Sequence, residues 1–530
     1  MHDRLRRLFT SADLAAPAEQ QLLREIGFAD PQAIGRRIKA LLSSDDGDDA
    51  VECLVRLFAG LQDTPSPESS LIAFERLMAR TADKSAMYRS LNERPRSIDI
   101  LLKVFVGSQY LTETLLRSPD SLIPLTQHRE LADLKSREEF RLAALQAAEQ
   151  AGSPAEQLDA LRKYQRWEIL RIGVCDNVGL IDLRAATNQL SLLADGLIQA
   201  CLHLAAEGQP TDAGFAVLAL GKLGGEELNY SSDIDLVFLA DHEPTRWVPI
   251  AQRLIRALHN ATPEGFLYRV DLRLRPWGRS GALISSSSAF LEYLRRDAEL
   301  WERQALLKAR FIAGDPRLAA QVLDDCQPLL FGDDTVAVRR SVQAAKQRIE
   351  ADLVRRGRVW GEVKLGTGSI RDIEFLAQYL QLLHGGSLPQ LRTPNTLDAL
   401  IRLTDAGLLQ ADEYRHLTSG YLFLRTIEHA LQLMHNKQVH QLPRESHELG
   451  FLARRLDFPG GEAFVAHYDR HCRAIRRIYD QHLGEQPTAG DRPPARTPMR
   501  PANDPLLVPF TEAERAQHAE WLKTLSSDRL

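Results

Sequence analysis

Long hydrophobic runs, paired cysteines and an excess of one charge are all missing from this chain of 530 residues, and each absence removes a class of protein. No apolar run approaches the length that crosses a bilayer, so no membrane partner is expected. The N-terminal MHDRLRRLF is basic, but no apolar stretch follows it, so no signal peptide is expected either. The five cysteines, Cys53, Cys175, Cys201, Cys326 and Cys472, stand far apart. That spacing fits reduced thiols of a cytoplasmic protein and excludes a disulfide framework or a zinc site. The net charge is only −5, so nothing in the total suggests nucleic acid or an anionic membrane surface as a partner. Two common phosphate motifs are also missing. Ala216 and Leu223 stand where a P-loop needs Gly and Ser or Thr, and GKLGG does not fit the dinucleotide pattern Gly-x-Gly-x-x-Gly.

What is present centres on FAVLALGKLGGEELNYSSDIDLVFLAD, residues 215–241. The pattern predicts a strand, a glycine turn, a short helix and a second strand. Alternation along that second strand puts Asp233 and Asp235 on one face and Ile234 in a core. Two carboxylates side by side are costly unless a cation sits with them, and Mg2+ is the natural hard cation for such oxygens. Downstream, YRVDLRLRP (268–276) alternates cleanly, with Val270, Leu272 and Leu274 facing one way and Arg269, Asp271, Arg273 and Arg275 the other. It reads as a half-buried strand. Asp271 beside Asp233 and Asp235 makes three carboxylates for two metal ions, and the arginines then meet phosphate oxygens. The glycine turn adds backbone N–H groups, a second anion-binding element. The expected nucleotide and phosphate contacts are therefore Gly221, Lys222, Gly224, Gly225, Ser232, Arg273 and Arg275.

The rest reads as helix. Residues 1–150 form a helical region with no visible chemistry: Asp30-Pro31 starts a helix, and Ile34, Ile38, Leu41 and Leu42 keep helical spacing. Residues 151–320 hold the catalytic unit with its lead-in helices, the first opened by a capping box at Ser153-Pro154-Ala155-Glu156. Ser285 to Ser288 cap a helix from Phe290 that carries Trp301, Leu306 and Leu307 inward. Lys308 and Arg310 on that element either reach nucleotide phosphate or form a solvated face. Residues 321–484 form a helical bundle. Its basic stretch 335–358 is read as a solvated face, with partner or nucleotide contact the other reading. Within VKLGTGSIRDIEF, Asp372 and Glu374 are two apart and diverge on a helix, so they are not a second metal pair. Arg371, following glycines at a helix start, is a candidate phosphate contact. His467 and His471 share a helical face with Cys472, but without a third ligand they read as an ordinary histidine pair. Residues 485–510 are a Pro-rich linker, and 511–530 a terminal helix behind a capping box at Thr511–Glu514.

The glycine turn, the Asp-x-Asp and the later acid resemble the DNA polymerase beta nucleotidyltransferase superfamily. The longer strings GKLGGEELNYSSDIDLVF, YRVDLRLRPWGRSG, WERQALLKAR and VKLGTGSIRDIEF are more specific. In this order they resemble the glutamine synthetase adenylyltransferase/adenylyl-removing family, from about Leu161 to Leu442. The resemblance implies an α+β fold, mostly helical, with one small mixed-sheet nucleotidyltransferase domain flanked by helical domains. It implies two Mg2+ ions on Asp233, Asp235 and Asp271, and ATP, or ADP and phosphate, as small substrates. The acceptor it implies is a tyrosine hydroxyl of glutamine synthetase, with a nitrogen-signalling PII-type protein as a further partner. Family members join two such units; this chain carries one Asp-x-Asp in a strand context. SSDID and YLFLRTIEHALQL (421–433) lie nearer the removing unit, so phosphorolytic removal of AMP is expected, with adenylylation from ATP as the other direction. Two alternatives remain: a nucleotidyltransferase of this fold acting on another protein, and a non-catalytic nucleotide-sensing module.

Overall fold

The structure is a computed structural model. It describes residues 1–484 except 12, 13, 15, 43–46, 63, 65, 95, 128–130, 332–334 and 436. The expected linker 485–510 and terminal helix 511–530 lie outside the described residues.

Helices dominate, and their starts follow local chemistry. The Asp30 carboxylate accepts from the N–H groups of Gln32 and Ala33 at 3.1 and 3.0 Å, capping Pro31–Leu41. That helix buries Ile34, Ile38 and Leu41, the face its spacing implied. Ser153 caps the long helix Pro154–Asn177 by accepting from the Glu156 N–H. Glu156 in turn accepts from Gly152 rather than from the cap itself, so the reciprocal half of the expected capping box is displaced by one residue. A second long helix, Leu183–Ala206, is long and apolar enough to cross a membrane by length and composition alone. Most of its apolar window is instead buried inside the fold, against the sheet and the helix Arg137–Glu149.

The sheet has five short strands: β1 (Phe215–Leu220), β2 (Ile234–Ala240), β3 (Val270–Asp271), β4 (Ile284–Ser286) and β5 (Arg310–Gly314). β1 runs antiparallel to β2 on one side and to β5 on the other. β3 and β4 both pair parallel with β2, β3 at its first residues and β4 at its last. The sheet is therefore mixed, as expected. β1 is buried on both faces, which explains an unbroken apolar run where alternation is absent. Phe215, Val217 and Ala219 join a core with the N-terminal and lead-in helices. Ala216, Leu218 and Leu220 join a second core under the helices Ser287–Arg296 and Pro316–Leu330. A third core lies within the C-terminal bundle, residues 338–483.

Two expectations need correction. The strand read over 268–276 is only Val270–Asp271. The Asp271 carboxylate accepts from the Arg273 N–H at 2.9 Å, a local turn that competes with further strand pairing. Arg275 then clamps the turn by donating to the carbonyls of Leu272, Arg279 and Gly281. The helix from Phe290 also ends early, at Arg296, and a separate one runs Leu300–Leu306. Ser286, within the expected Ser285–Ser288 run, caps the first of these. Trp301 is 42% exposed rather than inward, whereas Leu306 is buried.

Candidate active site

The site forms where β1, β2 and β3 end together. Leu220 faces Asp235 across the antiparallel pair, and Asp235 faces Asp271 across the parallel pair. Ile234 is fully buried, so its neighbours Asp233 and Asp235 lie away from that core, as the alternation implied. Gly221 follows Leu220 with φ +57°, and a Cβ there would lie 2.2 Å from Asp235 Oδ2. Only glycine leaves room for that carboxylate. Gly224 is equally constrained: a Cβ would lie 1.9 Å from the Lys308 carbonyl oxygen. The Gly225 N–H donates back to the Gly221 carbonyl, and the Gly225 carbonyl accepts from Asn395.

The three acids differ in their partners. Asp233 accepts from Arg269 Nε at 2.5 Å, while the same guanidinium also reaches the Ser231 carbonyl. Asp271 takes the fork of Arg273, at 2.8 Å to Nε. Burial works to raise the Asp271 carboxyl, but the Arg273 guanidinium and N–H outweigh it and hold the group below its ordinary value. Asp235 accepts no hydrogen bond among the described residues. Burial, then the charges of Asp271 and Asp233, push it up to about 6. An open groove of about 430 Å³ passes over Asp233 and Asp271, walled also by Arg269, Arg273, Arg275 and Arg279. Among the described residues, no three metal-ligating side chains are already gathered as a closed metal set. Arg269 and Arg273 hold the outer two acids. The donor chemistry nevertheless fits a hard divalent cation: three carboxylates meet at the strand ends, and the middle one is half-buried with no hydrogen-bond donor or ion pair of its own among the described residues.

The other expected contacts divide. Lys222 does not point at the acids. It forms two bonds of 2.7 and 2.8 Å to Glu428, which is wholly buried. Burial favours the neutral form of Glu428, yet Lys222, His440 and Arg425 together keep it ionised, well below its usual range. Ser232 Oγ accepts from the Asn229 N–H, closing the turn that presents Asp233. Arg275 is tied up in its own loop, as described above. Arg371 stands 3.4 Å from Glu374 and lies over the Phe375 ring. Glu374 is itself buried and close enough to Lys222, Lys308 and Lys364 to feel their charge.

Some residues were not legible as site residues in the sequence. The helix Ala411–His435 presents Arg425, Glu428, His429 and Gln432 on one face, all buried. Arg425 and His429 both bind Asn229 Oδ1, at 2.5 and 2.8 Å, and Gln432 accepts from the Ser231 N–H. This polar face holds the Asn229–Asp233 turn from outside the sheet domain. Its signal was present as i, i+3, i+4, i+7 spacing of polar residues inside an apolar helix. Lys364, in VKLGTGS, is the other omission. Its ammonium makes no hydrogen bond or ion pair among the described residues, yet its charge acts on Asp235, Glu428 and Glu374. Lys308 and Arg310 fit neither reading offered above. Lys308 is buried against Glu227 and Thr396, and Arg310 forks onto Asp195 while bonding the carbonyls of Leu223 and Gly224. Both brace the glycine turn from behind. In the basic stretch, Lys346 is likewise buried on Asp372 and the Leu365 carbonyl.

A small mixed sheet, a glycine turn packed on a strand-end carboxylate, and two further acids beside it are the arrangement that the resemblance to nucleotidyltransferases of the DNA polymerase beta type implies. Comparison with known proteins carries this further. Residues 98–325 match the glutamate-ammonia ligase adenylyltransferase family, and residues 343–483 match the GlnD PII-uridylyltransferase family. The bifunctional glutamine synthetase adenylyltransferase/adenylyl-removing enzyme of Xanthobacter autotrophicus is 36% identical over 75% of this chain and 43% of its own length. Those of Hahella chejuensis and Streptomyces avermitilis are 34% and 32% identical, over 73% and 87% of this chain and 42% and 46% of their own lengths. The chain belongs to this adenylyltransferase/adenylyl-removing family. It spans about half the length of the curated relatives it matches.

Proposed function

We propose that the chain transfers AMP to or from a tyrosine hydroxyl of glutamine synthetase, with removal by phosphorolysis the favoured direction. The observation that carries this reading is Asp235: a half-buried carboxylate without a hydrogen-bond donor among the described residues, in register with Asp271 and packed on Gly221. A non-catalytic module gains nothing from such a group, which destabilises the fold until a cation meets it.

Asp233, Asp235 and Asp271 are the residues that would hold Mg2+, two ions in the family pattern. When bound, the cation supplies neutralising charge at the phosphate oxygens. Arg269 and Arg273, released from Asp233 and Asp271, turn toward phosphate oxygens in the groove. Lys364 adds positive charge from the bundle side. Gly221 lets the nucleotide approach the backbone closely. Lys222 acts indirectly, through Glu428, by fixing the sheet domain to the helix that holds the Asn229–Asp233 turn. In the removing direction an oxygen of inorganic phosphate attacks the AMP phosphorus in line, the bond to the tyrosine oxygen breaks, and ADP and free tyrosine result. Adenylylation from ATP uses the same displacement with pyrophosphate leaving. The SSDID turn and the 421–433 helix favour removal. A PII-type partner is supported by the match of the bundle to the uridylyltransferase family, and a cytoplasmic location by the reduced, widely spaced cysteines.

The test is to incubate the chain and Mg2+ with unmodified glutamine synthetase and ATP, or with AMP-modified glutamine synthetase and phosphate, and to read intact mass. Loss of AMP in the phosphate arm is expected. Gain in the ATP arm alone reverses the direction, and no change in either arm removes glutamine synthetase as the acceptor.

A further inference from the structure

A cavity of about 1360 Å³ lies away from the acids, where the N-terminal helices meet the bundle. Its walls include Leu102 and Lys103, then Asp176, and from the bundle Phe451, Arg455 and Phe458. The cavity is far larger than the groove over the acids, and nothing in the reaction uses it.

Arg455 is its distinctive group. One arm of the guanidinium donates to Asn177 Oδ1 at 3.2 Å. The other, Nη1, is buried and has no acceptor among the described residues. No carboxylate lies within 4.0 Å of it among those residues, and burial pushes the guanidinium down to about 10. A buried guanidinium nitrogen whose N–H groups find no acceptor is a costly arrangement that an oxyanion relieves. The phenylalanines and Leu102 beside it suit an apolar body.

The same wall touches the site. Asp176, whose charge acts on Arg455, accepts from the Tyr230 hydroxyl at 2.8 Å. Tyr230 packs edge-on against His429, which bonds Asn229. Asn229 and Tyr230 belong to the turn that ends at Asp233. An anion that draws Arg455 toward itself changes the charge balance at Asp176 and so the hold on that turn.

We propose that this cavity is an effector site for a small oxyanion, carboxylate or phosphate, carried on an apolar body, sensed by Arg455 and coupled through Asp176 and Tyr230 to the Asp233 turn. The proposal does not depend on which acceptor the enzyme modifies, and its test reads binding rather than turnover. The probes are 4-bromobenzoate and 4-bromophenyl phosphate, soaked into crystals of the full chain and titrated in solution, with 4-bromobenzyl alcohol as the neutral control. A bromine anomalous peak in the cavity is expected for at least one anion and not for the alcohol, and the comparison of the two anions separates carboxylate from phosphate. Arg455→Met should weaken binding by roughly tenfold or more, the worth of one charged hydrogen bond, with Arg455→Lys intermediate. In the wild-type chain the bound anion should change hydrogen exchange at the 229–233 amides. A bromine peak only over Asp233 and Asp271, binding unaltered in Arg455→Met, or exchange at 229–233 unmoved by a saturating anion would each overturn the proposal.

Discussion

Asp235 stands opposite Asp271, in register across two parallel strands, and the two acids are treated differently by their surroundings. Arg273 holds Asp271 below its ordinary value, while Asp235 has no partner and is pushed up to about 6. A cation between the two acids would relieve this asymmetry.

The first prediction is a stability profile. The folded protein binds a proton at Asp235 more tightly than the unfolded chain, whose carboxyl keeps its ordinary value of 3.8. Stability of the metal-free protein therefore falls as pH rises from about 4 to about 6, and the full penalty persists above. A shift of about two units corresponds to at most about 3 kcal/mol. Asp235→Asn removes the penalty, so thermal unfolding in chelator at pH 8 should show the variant equal to or up to roughly 3 °C above wild type, while turnover falls by about 10²–10³ or more. A variant clearly less stable than wild type at pH 8 contradicts an unpaired Asp235.

The second concerns Gly221. Alanine there meets Asp235 Oδ2 at 2.2 Å and must hold φ at +57°. Displacing the carboxylate by about 1 Å is expected to lower kcat by about 10². Circular dichroism should still report a folded helical protein, and unchanged kcat would mean that Asp235 does not need this approach.

The third separates Lys222 from phosphate binding. Glu428→Gln leaves the Lys222 ammonium buried with a weakened partner, and Lys222→Met leaves the Glu428 carboxylate with one fewer. Each should cost about 3–5 kcal/mol, or roughly 3–5 °C in Tm for a unit of this size. The pair replaced together should recover much of the loss. A Lys222→Met protein with wild-type Tm but a raised KM for nucleotide would return Lys222 to the phosphate cradle.

Lys364 is expected to behave in the opposite way. It braces nothing through its ammonium, so Lys364→Ala should leave Tm unchanged and raise KM for phosphate or nucleotide by roughly tenfold or more. A loss of stability without a change in KM would make it structural.

The juxtaposition of the three expected acids was legible because their signals are local. Asp-x-Asp at a strand start, a glycine turn before it and alternation through Asp271 all sit within short windows. The mixed sheet and the dominance of helix were legible for the same reason. What alternation over 268–276 concealed was the bond from Asp271 back to the Arg273 N–H, which ends the strand after two residues. What spacing could not show was pairing across long separations. Lys222 meets Glu428 about two hundred positions away, and Arg310 and Lys308 are consumed by Asp195 and Glu227. A lysine beside glycines looks like a phosphate ligand until its actual partner is known. Lys364 lies in a loop with no periodicity at all, so only the fold shows that its charge reaches Asp235.

The central claim is that these three acids serve AMP transfer on glutamine synthetase in the removing direction. The most direct measurement incubates AMP-modified glutamine synthetase with radiolabelled phosphate, Mg2+ and either the wild-type chain or Asp235→Asn. The account predicts labelled ADP with wild type and its near-absence with the variant. Labelled ADP from both proteins, or from neither while ATP labels unmodified glutamine synthetase, would contradict it.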